Sequence, residues 1–495
     1  MRRLFCCCDL ILWAIGKLLQ GFLILDFPRM IFALIVSGSA LLVTLRFLYR
    51  FLFPKDEKDY EGYKERWFGK DLSSLPSDEA KRYREDTSIR PFKIQVTNDV
   101  LKDLKMRLER TRFEDPLEDS LFLDGFNPNY LREVVEYWKS KYNWEKEEKE
   151  LNKFPHFKTR IEGLDIHFMH VKPTIEEGKK LDVIPLLLIH GWPGSFTEFY
   201  KIVPMLTTPR ADCNYVFEVV CPSIPGFGFS ESPTKKGFNG RAAARVFLTL
   251  MERLGHPKFY VQGGDWGSYI ASLMARYYPP RILGLHVNCY FFFPGTWDSI
   301  KAILISIFPF LVSAPEYKTV FPLRKKLKVL YEETGYFHMH STKPNTLGCA
   351  MSDSPAGMAA YLLEKFPVCA NPEYLKLPDG GLCKNFTMDE LLTNVMMYWV
   401  NNNFTAAARF YKANFKDIRS RIHERVPVTV PSGVAFFPHE PLMQPKTMMS
   451  QQMKNIISYT IMPKGGHFAA MEEPELLADD LWKFVSLAKK QKSGI

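Results

Sequence analysis

The sequence has no concentrated basic stretch, no low-complexity tract, no internal repeat and no ordered spacing among its cysteines. Each absence removes a class of protein. The net charge of +10 is modest for 495 residues, and lysines and arginines are interleaved with acids, so the basic stripe of a nucleic-acid surface is missing. Attraction to an anionic membrane surface stays compatible with that charge. Nine cysteines, an odd number without framework or ligand spacing, argue against a disulfide scaffold and against zinc. Cys6, Cys7 and Cys8 precede an apolar segment, where chance packing and reversible acylation are both open. Also lacking is a short apolar region followed by a small-residue cleavage site, so the N-terminus does not read as a removed signal peptide.

What stands there instead reads as a retained anchor. Met30 to Leu45 carries no charge and is bracketed by Arg29 and Arg46. At ~1.5 Å per residue this run is a little short for a hydrocarbon core of ~30 Å. Phe47, Leu48, Phe51, Leu52 and Phe53 extend it, with Arg46 and Arg50 free to snorkel. Leu10 to Leu25 is a second apolar run, interrupted by Lys17, which leaves a hairpin or an interfacial arrangement open. Arg46, Arg50, Lys55 and Lys58 after the second run favour a cytosolic catalytic part, against the weaker pull of Arg2, Arg3, Lys17 and Arg29 on the other flank.

An apolar content of 46%, with 14% aromatic residues, describes a chain that folds and buries a large core. Pro54 to Asp86 reads as a charged connector. Helical patterns follow from Thr97-Asn98-Asp99 and around Tyr130 to Tyr142. Ile161 to His170 alternates about a turn at Gly163, which predicts a hairpin. Ile184 to Ile189, Val216 to Cys221, Phe259 to Gln262 and Leu283 to Asn288 are short, continuous apolar runs separated by helical patterns. Such runs predict parallel strands buried on both faces. Ser195 and Glu198 are spaced as a capping box for the helix after HGWPGS. From about Gly295 to Arg425 the pattern is helical, and strand signals return at Val428 to Phe437 and Ile456 to Met462. A helical insertion in an α/β sheet, covering the carboxyl ends of its strands, is the economical organisation.

VQGGDWGSYI has the outline of a nucleophile elbow with Asp265 where a serine is expected. A carboxylate at a helix N-terminus is ionised without a base. Attack by serine on a saturated carbon leaves an inert ether, whereas attack by aspartate leaves an ester that water can cleave. Epoxides and alkyl halides are the substrates such a nucleophile suits. The same residue in a glycine-rich turn could also be a plain helix cap. His467, in KGGHFAA after the last strand signal, has the chain position of the base. Glu440 is the preferred orienting acid, with Asp389, Glu390 and Asp417 as weaker candidates. The backbone N–H groups of Trp192 and Trp266 are placed for an oxyanion hole. Opening an epoxide leaves an alkoxide that needs a donor. Tyr317, Tyr331, Tyr336, Tyr361, Tyr374, Tyr398 and Tyr411 all lie in the insertion, and spacing does not choose among them.

RIEGLDIHFMHVKP, HGWPGSFTEFYKIVP, CPSIPGFGFSE, QGGDWGS, DSPAGMAAYLLEKF, LLTNVMMYW and GGHFAAMEEPELLA together resemble the microsomal epoxide hydrolases, from about Arg90 to the C-terminus. The resemblance implies an α/β-hydrolase core with a mostly parallel sheet, a helical cap, an N-terminal meander and a membrane anchor. It places the nucleophile on Asp265, the acid on Glu440 within FPHE, the base on His467, and the cap tyrosines on Tyr336 within GYFH and Tyr411 within RFYK. The expected division is an anchor over 1–53, an extension over 54–160, core over 161–294, cap over 295–425 and core again over 426–495. The expected reaction takes an apolar epoxide and water to a vicinal diol, without a cofactor or obligate protein partner, at the endoplasmic reticulum membrane and in contact with its lipid. A haloalkane dehalogenase, or a silent binding protein on the same fold, is the alternative.

Overall fold

The continuous apolar runs become the inner strands of one nine-stranded sheet. The structure is a computed structural model describing residues 44, 66–73, 75–290, 296–321 and 323–493. Apart from Thr44, the anchor expected over 1–53 lies outside these residues, and among them no helix is long and apolar enough to cross a membrane. The strands are β1 (Ile89–Phe92), β2 (His156–Ile161), β3 (Leu164–Val171), β4 (Asp182–Ile189), β5 (Tyr215–Pro222), β6 (Phe259–Gly263), β7 (Ile282–Val287), β8 (Ser432–Phe436) and β9 (Ile456–Ile461). Their order is β1-β2-β3-β5-β4-β6-β7-β8-β9. From β5 to β9 every pairing is parallel, while β1, β2 and β3 join it as an antiparallel meander. β5 and β6 are buried along their whole length, as strands covered on both faces must be. β1 was not foreseen. Its IRPF carries Pro91, which lacks an N–H to donate, and β1 is an edge strand where that lack is tolerated.

The helices that matter here are α1 (Asn98–Glu109), α2 (Pro128–Ser140), α3 (Gly240–Arg253), α4 (Asp265–Tyr277), α5 (Gly335–Thr342), α6 (Met388–Trp399), α7 (Phe404–Ser420) and α8 (Pro474–Ser493). α8 packs on the sheet through Trp482, whose ring lies 4.7 Å from that of Phe217 and 5.0 Å from that of Tyr215. Losing an aromatic anchor of this kind costs about 3–5 kcal/mol.

Contacts divide the chain into two compact units, Met1–Tyr60 with Pro294–Ile307, and Glu61–Phe293 with Phe308–Ile495. The first contributes the apolar helix Thr296–Ile307, with Ala302 and Ile305 buried and Ile303 and Ile307 exposed. Everything below concerns the second.

The N-terminal extension holds the helical insertion by polar contacts. Arg107 of α1 bonds Asp353, Tyr137 of α2 donates to Asp389 at 2.9 Å, and Tyr142 meets Thr393 at 3.0 Å. One expected local device is different. Ser195 caps only a short 3₁₀ turn, accepting from the Thr197 N–H, and forms no box with Glu198. Glu198 turns inward, and its Oε1 sits where a Cβ on Gly194 would come within 2.0 Å of it.

Candidate active site

Parallel strands place their carboxyl ends along one edge. The loops that follow β4, β6, β8 and β9 carry Trp192, Asp265, Glu440 and His467. β6 ends at Gly263, Gly264 remains extended, and Asp265 turns to φ 45°, the left-handed region, as the first residue of α4. A non-glycine residue there stores on the order of 1–3 kcal/mol of strain. Two glycines make the turn geometrically possible. A Cβ on Gly267 would lie 1.8 Å from the Ile189 carbonyl oxygen, and one on Gly263 would lie 2.4 Å from the Gly267 carbonyl carbon. α4 therefore begins hard against the end of β4, and Asp265 is lifted beside the HGWPGS loop.

That loop grips the carboxylate. The Trp192 N–H donates to Asp265 Oδ1 at 2.8 Å, and a Cβ on Gly191 would sit 2.3 Å from that of Asp265. Trp266 is the next residue of α4, its indole fully buried. The loop is itself held by α6: Asn394 donates to the Pro193 carbonyl at 2.8 Å, and the Tyr398 hydroxyl to that of Gly194 at 2.7 Å. Asn394 was not singled out in the sequence. Its only signal is an amide, beside Thr393, in the mostly apolar LLTNVMMYW.

His467 Nε2 stands 3.6 Å from Asp265 Oδ2, and its Nδ1 stands 2.6 Å from Glu440 Oε2. The second contact puts the proton on Nδ1 and turns Nε2 toward Asp265. Glu440 is 1% exposed and its other oxygen accepts the Leu442 N–H at 2.8 Å. The weaker acid candidates are engaged elsewhere: Asp389 with Tyr137 and Lys146, Glu390 in a capping box with Thr387, and Asp417 with Asn239 and His423. Burial alone would lower the His467 pKa, but Glu440 and Asp265 overrule it and hold the imidazole well above its ordinary value.

Two phenols face this group from the insertion. Tyr336 of α5 stacks on Trp192 with ring centres 4.8 Å apart. Tyr411 of α7 meets Trp266 edge-on at 4.7 Å and lies 6.0 Å from Tyr336, centre to centre. Burial, reinforced by the Asp265 charge, keeps both hydroxyls protonated far above the usual tyrosine range. Of the other tyrosines in the insertion, Tyr331 is 88% exposed, Tyr317 stacks on Phe321 and Tyr374 lies under Lys384. Tyr361 reaches the cluster but bonds His340 at 3.1 Å. His340 went unmarked in the sequence. It is buried against Trp192, Tyr336 and Tyr411, and burial pushes it down to about 3, so it packs as a neutral ring.

Among the described residues two trios bring metal-type donor atoms within 4.8 Å of one another, Cys289–Glu440–His467 and His170–Glu218–His256. In the first, His467 Nδ1 and Glu440 Oε2 are hydrogen-bonded to each other at 2.6 Å, so the pair serves the imidazole rather than an ion. In the second, His170 Nε2 lies 2.7 Å from Glu218 Oε1. That is a hydrogen bond tying β3 to β5, shorter than the spacing of about 3.4 Å between ligands of a tetrahedral site with bonds of about 2.1 Å.

The chain matches a family profile described as "Epoxide hydrolase N terminus" over residues 89–199, and one described as "alpha/beta hydrolase fold" over 184–308. It is 48% identical to Epoxide hydrolase 1 of Sus scrofa over 415 residues, 82% of this chain and 90% of that one. It is 41% identical to the juvenile hormone epoxide hydrolase of Manduca sexta over 469 residues, 93% of this chain and 98% of that one. The crystal structure of the Bombyx mori juvenile hormone epoxide hydrolase superposes with a TM-score of 0.81 at 38% identity, covering 86% of this chain and 99% of that one.

Proposed function

The chain belongs to the epoxide hydrolase family, with an α/β-hydrolase core and a helical cap, and from that premise we propose that it converts apolar epoxides to vicinal diols through an ester on Asp265. Tyr336 and Tyr411 bind the oxirane oxygen. An Asp265 carboxylate oxygen attacks a ring carbon, the ring C–O bond breaks, and a phenol supplies the proton that the alkoxide takes up. His467, oriented by Glu440, then takes a proton from water as the water oxygen adds to the Asp265 carbonyl carbon. The negative oxygen of that tetrahedral species is met by the Trp192 and Trp266 N–H groups. Collapse breaks the acyl C–O bond, the leaving oxygen takes the proton held by His467, and the diol departs with the water oxygen left in Asp265; the second proton of the water returns to the phenolate.

One observation carries this: the carboxylate–imidazole–carboxylate line, with spacings of 3.6 and 2.6 Å, at the base of a strained elbow. Paired phenols opposite the nucleophile support an epoxide rather than a halide, because a halide leaving group needs no proton. The aromatic lining and relatives named for juvenile hormone support an apolar substrate. The uncharged run Met30 to Leu45 and the basic residues after it support association with endoplasmic reticulum lipid and a cytosolic catalytic part. The reaction is tested by one turnover of an excess of enzyme in water labelled with heavy oxygen. The peptide bearing Asp265 gains the label. Label appearing only in the diol, with none in the polypeptide over repeated cycles, overturns the ester.

A further inference from the structure

Behind Asp265 lies a small polar cavity with no part in the steps so far. It is bounded by Glu198, Gln262, Asp265, Asn288 and His467, with Phe199 and Leu477 closing its apolar side. The room it leaves for a water-sized sphere is about 20 Å³, above the ~10–15 Å³ that one water requires. A buried water also needs two to four polar partners, and this wall supplies them. Gln262 is 1% exposed, and its Oε1 is buried without a hydrogen-bond partner. Its Nε2 is fixed by Asn288 Oδ1 at 2.8 Å, so the orphan acceptor cannot swing away. Glu198, the residue that failed to cap its turn, presents its carboxyl to the same space and accepts the Gly191 N–H.

We infer that this cavity holds the water that cleaves the ester, and that Glu198 and Gln262 position it between His467 and the carbonyl carbon of Asp265. The inference rests on the ester proposed above. Glu198 suits the task because burial pushes its carboxyl up to about 8, against the pull of His467 and the Gly191 N–H. At neutral pH it enters as an uncharged acid. It can share a hydrogen bond with water without becoming a third anion that competes for His467. The epoxide that is attacked and the water that follows then meet opposite sides of one carboxylate, that of Asp265. The substrate comes from the cap and the water from the core, and neither has to leave for the other to act.

Pre-steady-state kinetics with styrene oxide separate the two half-reactions, through quenching of Trp192 and Trp266 fluorescence and through intact mass. In Glu198→Ala, ester formation stays within about threefold of the wild type, whereas ester hydrolysis slows on the order of 100-fold, the scale expected when a reactant is misplaced by about 1 Å. The adduct therefore accumulates, and kcat and KM fall together. Glu198→Gln, which keeps a donor and an acceptor, retains hydrolysis within about tenfold. Wild-type hydrolysis in Glu198→Ala overturns the inference, as does an equal loss in both steps. If Glu198→Ala does not fold, Glu198→Asp, with the carboxyl withdrawn by one methylene, shows the same split on a smaller scale, and its absence there overturns the inference equally. Wild-type enzyme that gains no heavy oxygen at Asp265 sinks the ester itself. Labelled Asp265 combined with unimpaired Glu198 variants sinks only the water site.

Discussion

His467 feels two carboxylates of unequal permanence. Glu440 is never esterified, while Asp265 loses its charge each time it becomes an ester. Both raise the imidazole pKa, so ester formation removes one of them and lowers the proton affinity of His467 at the step that needs it as a base. Because a protonated imidazole cannot accept a proton from water, turnover fails on the acid side. Replacing Glu440 with Gln removes the lasting carboxylate and shifts that acid limb to lower pH while reducing the maximal rate, measured as kcat against pH; a limb that stays in place or moves upward contradicts this. With His467→Gln the ester forms and persists, visible as a mass increase equal to one epoxide, and hydrolysis drops by at least about 100-fold. Asp265, Glu440 and His467 were singled out because each ends a recognisable strand or motif, and the fold brings the three side by side. Glu198 was misread because the spacing of Ser195 and Glu198 fits a cap, and only the packing under Gly194 shows the carboxyl pointing inward.

The element that makes the chemistry possible is the junction of β6 and α4. Its tolerances are set by backbone, which cannot rotate out of the way as a side chain can. Gly267→Ala drives a methyl group to 1.8 Å from the Ile189 carbonyl oxygen. It is expected to destabilise by about 3 kcal/mol or more and to remove activity by separating Asp265 from the Trp192 N–H. Gly335→Ala is the contrast, since nothing lies within 4 Å of its new methyl and the residue sits in α5. That change is expected to be neutral or to stabilise by up to ~1 kcal/mol. Urea unfolding midpoints distinguish the two, and equal effects would mean that the elbow yields. The strands themselves were legible from their continuous apolar character, and the hairpin from its alternation. β1 was not, because four residues with a proline carry no periodic signal and pair only once β2 is in place.

At the scale of the whole molecule, the cap and the core share one site, and the proposed membrane association raises the question of which side of the membrane that site faces. The sequence carries two glycosylation sequons, Asn385-Phe386-Thr387 and Asn403-Phe404-Thr405; Asn403 is buried with its Nδ2 bonded to the Gly228 carbonyl, and it cannot report topology. Cys349 and Cys383 are exposed and free. In sealed microsomes a membrane-impermeant maleimide is expected to label both without detergent, read on the peptides that carry Cys349 and Cys383, with no label on those peptides in a Cys349→Ser, Cys383→Ser variant. Labelling that requires detergent places the catalytic part in the lumen. The sequence by itself determined the candidates for the chemistry: an aspartate in an elbow and a histidine after the last strand, both written in contiguous motifs. It also determined the alternation of strand and helix. Tertiary structure decided what no local pattern encodes, namely which of many tyrosines approach Asp265 and where a carboxyl faces a cavity. Those choices depend on separations through space between residues far apart in the chain, and such separations exist only after the parallel strands have brought their ends to one edge.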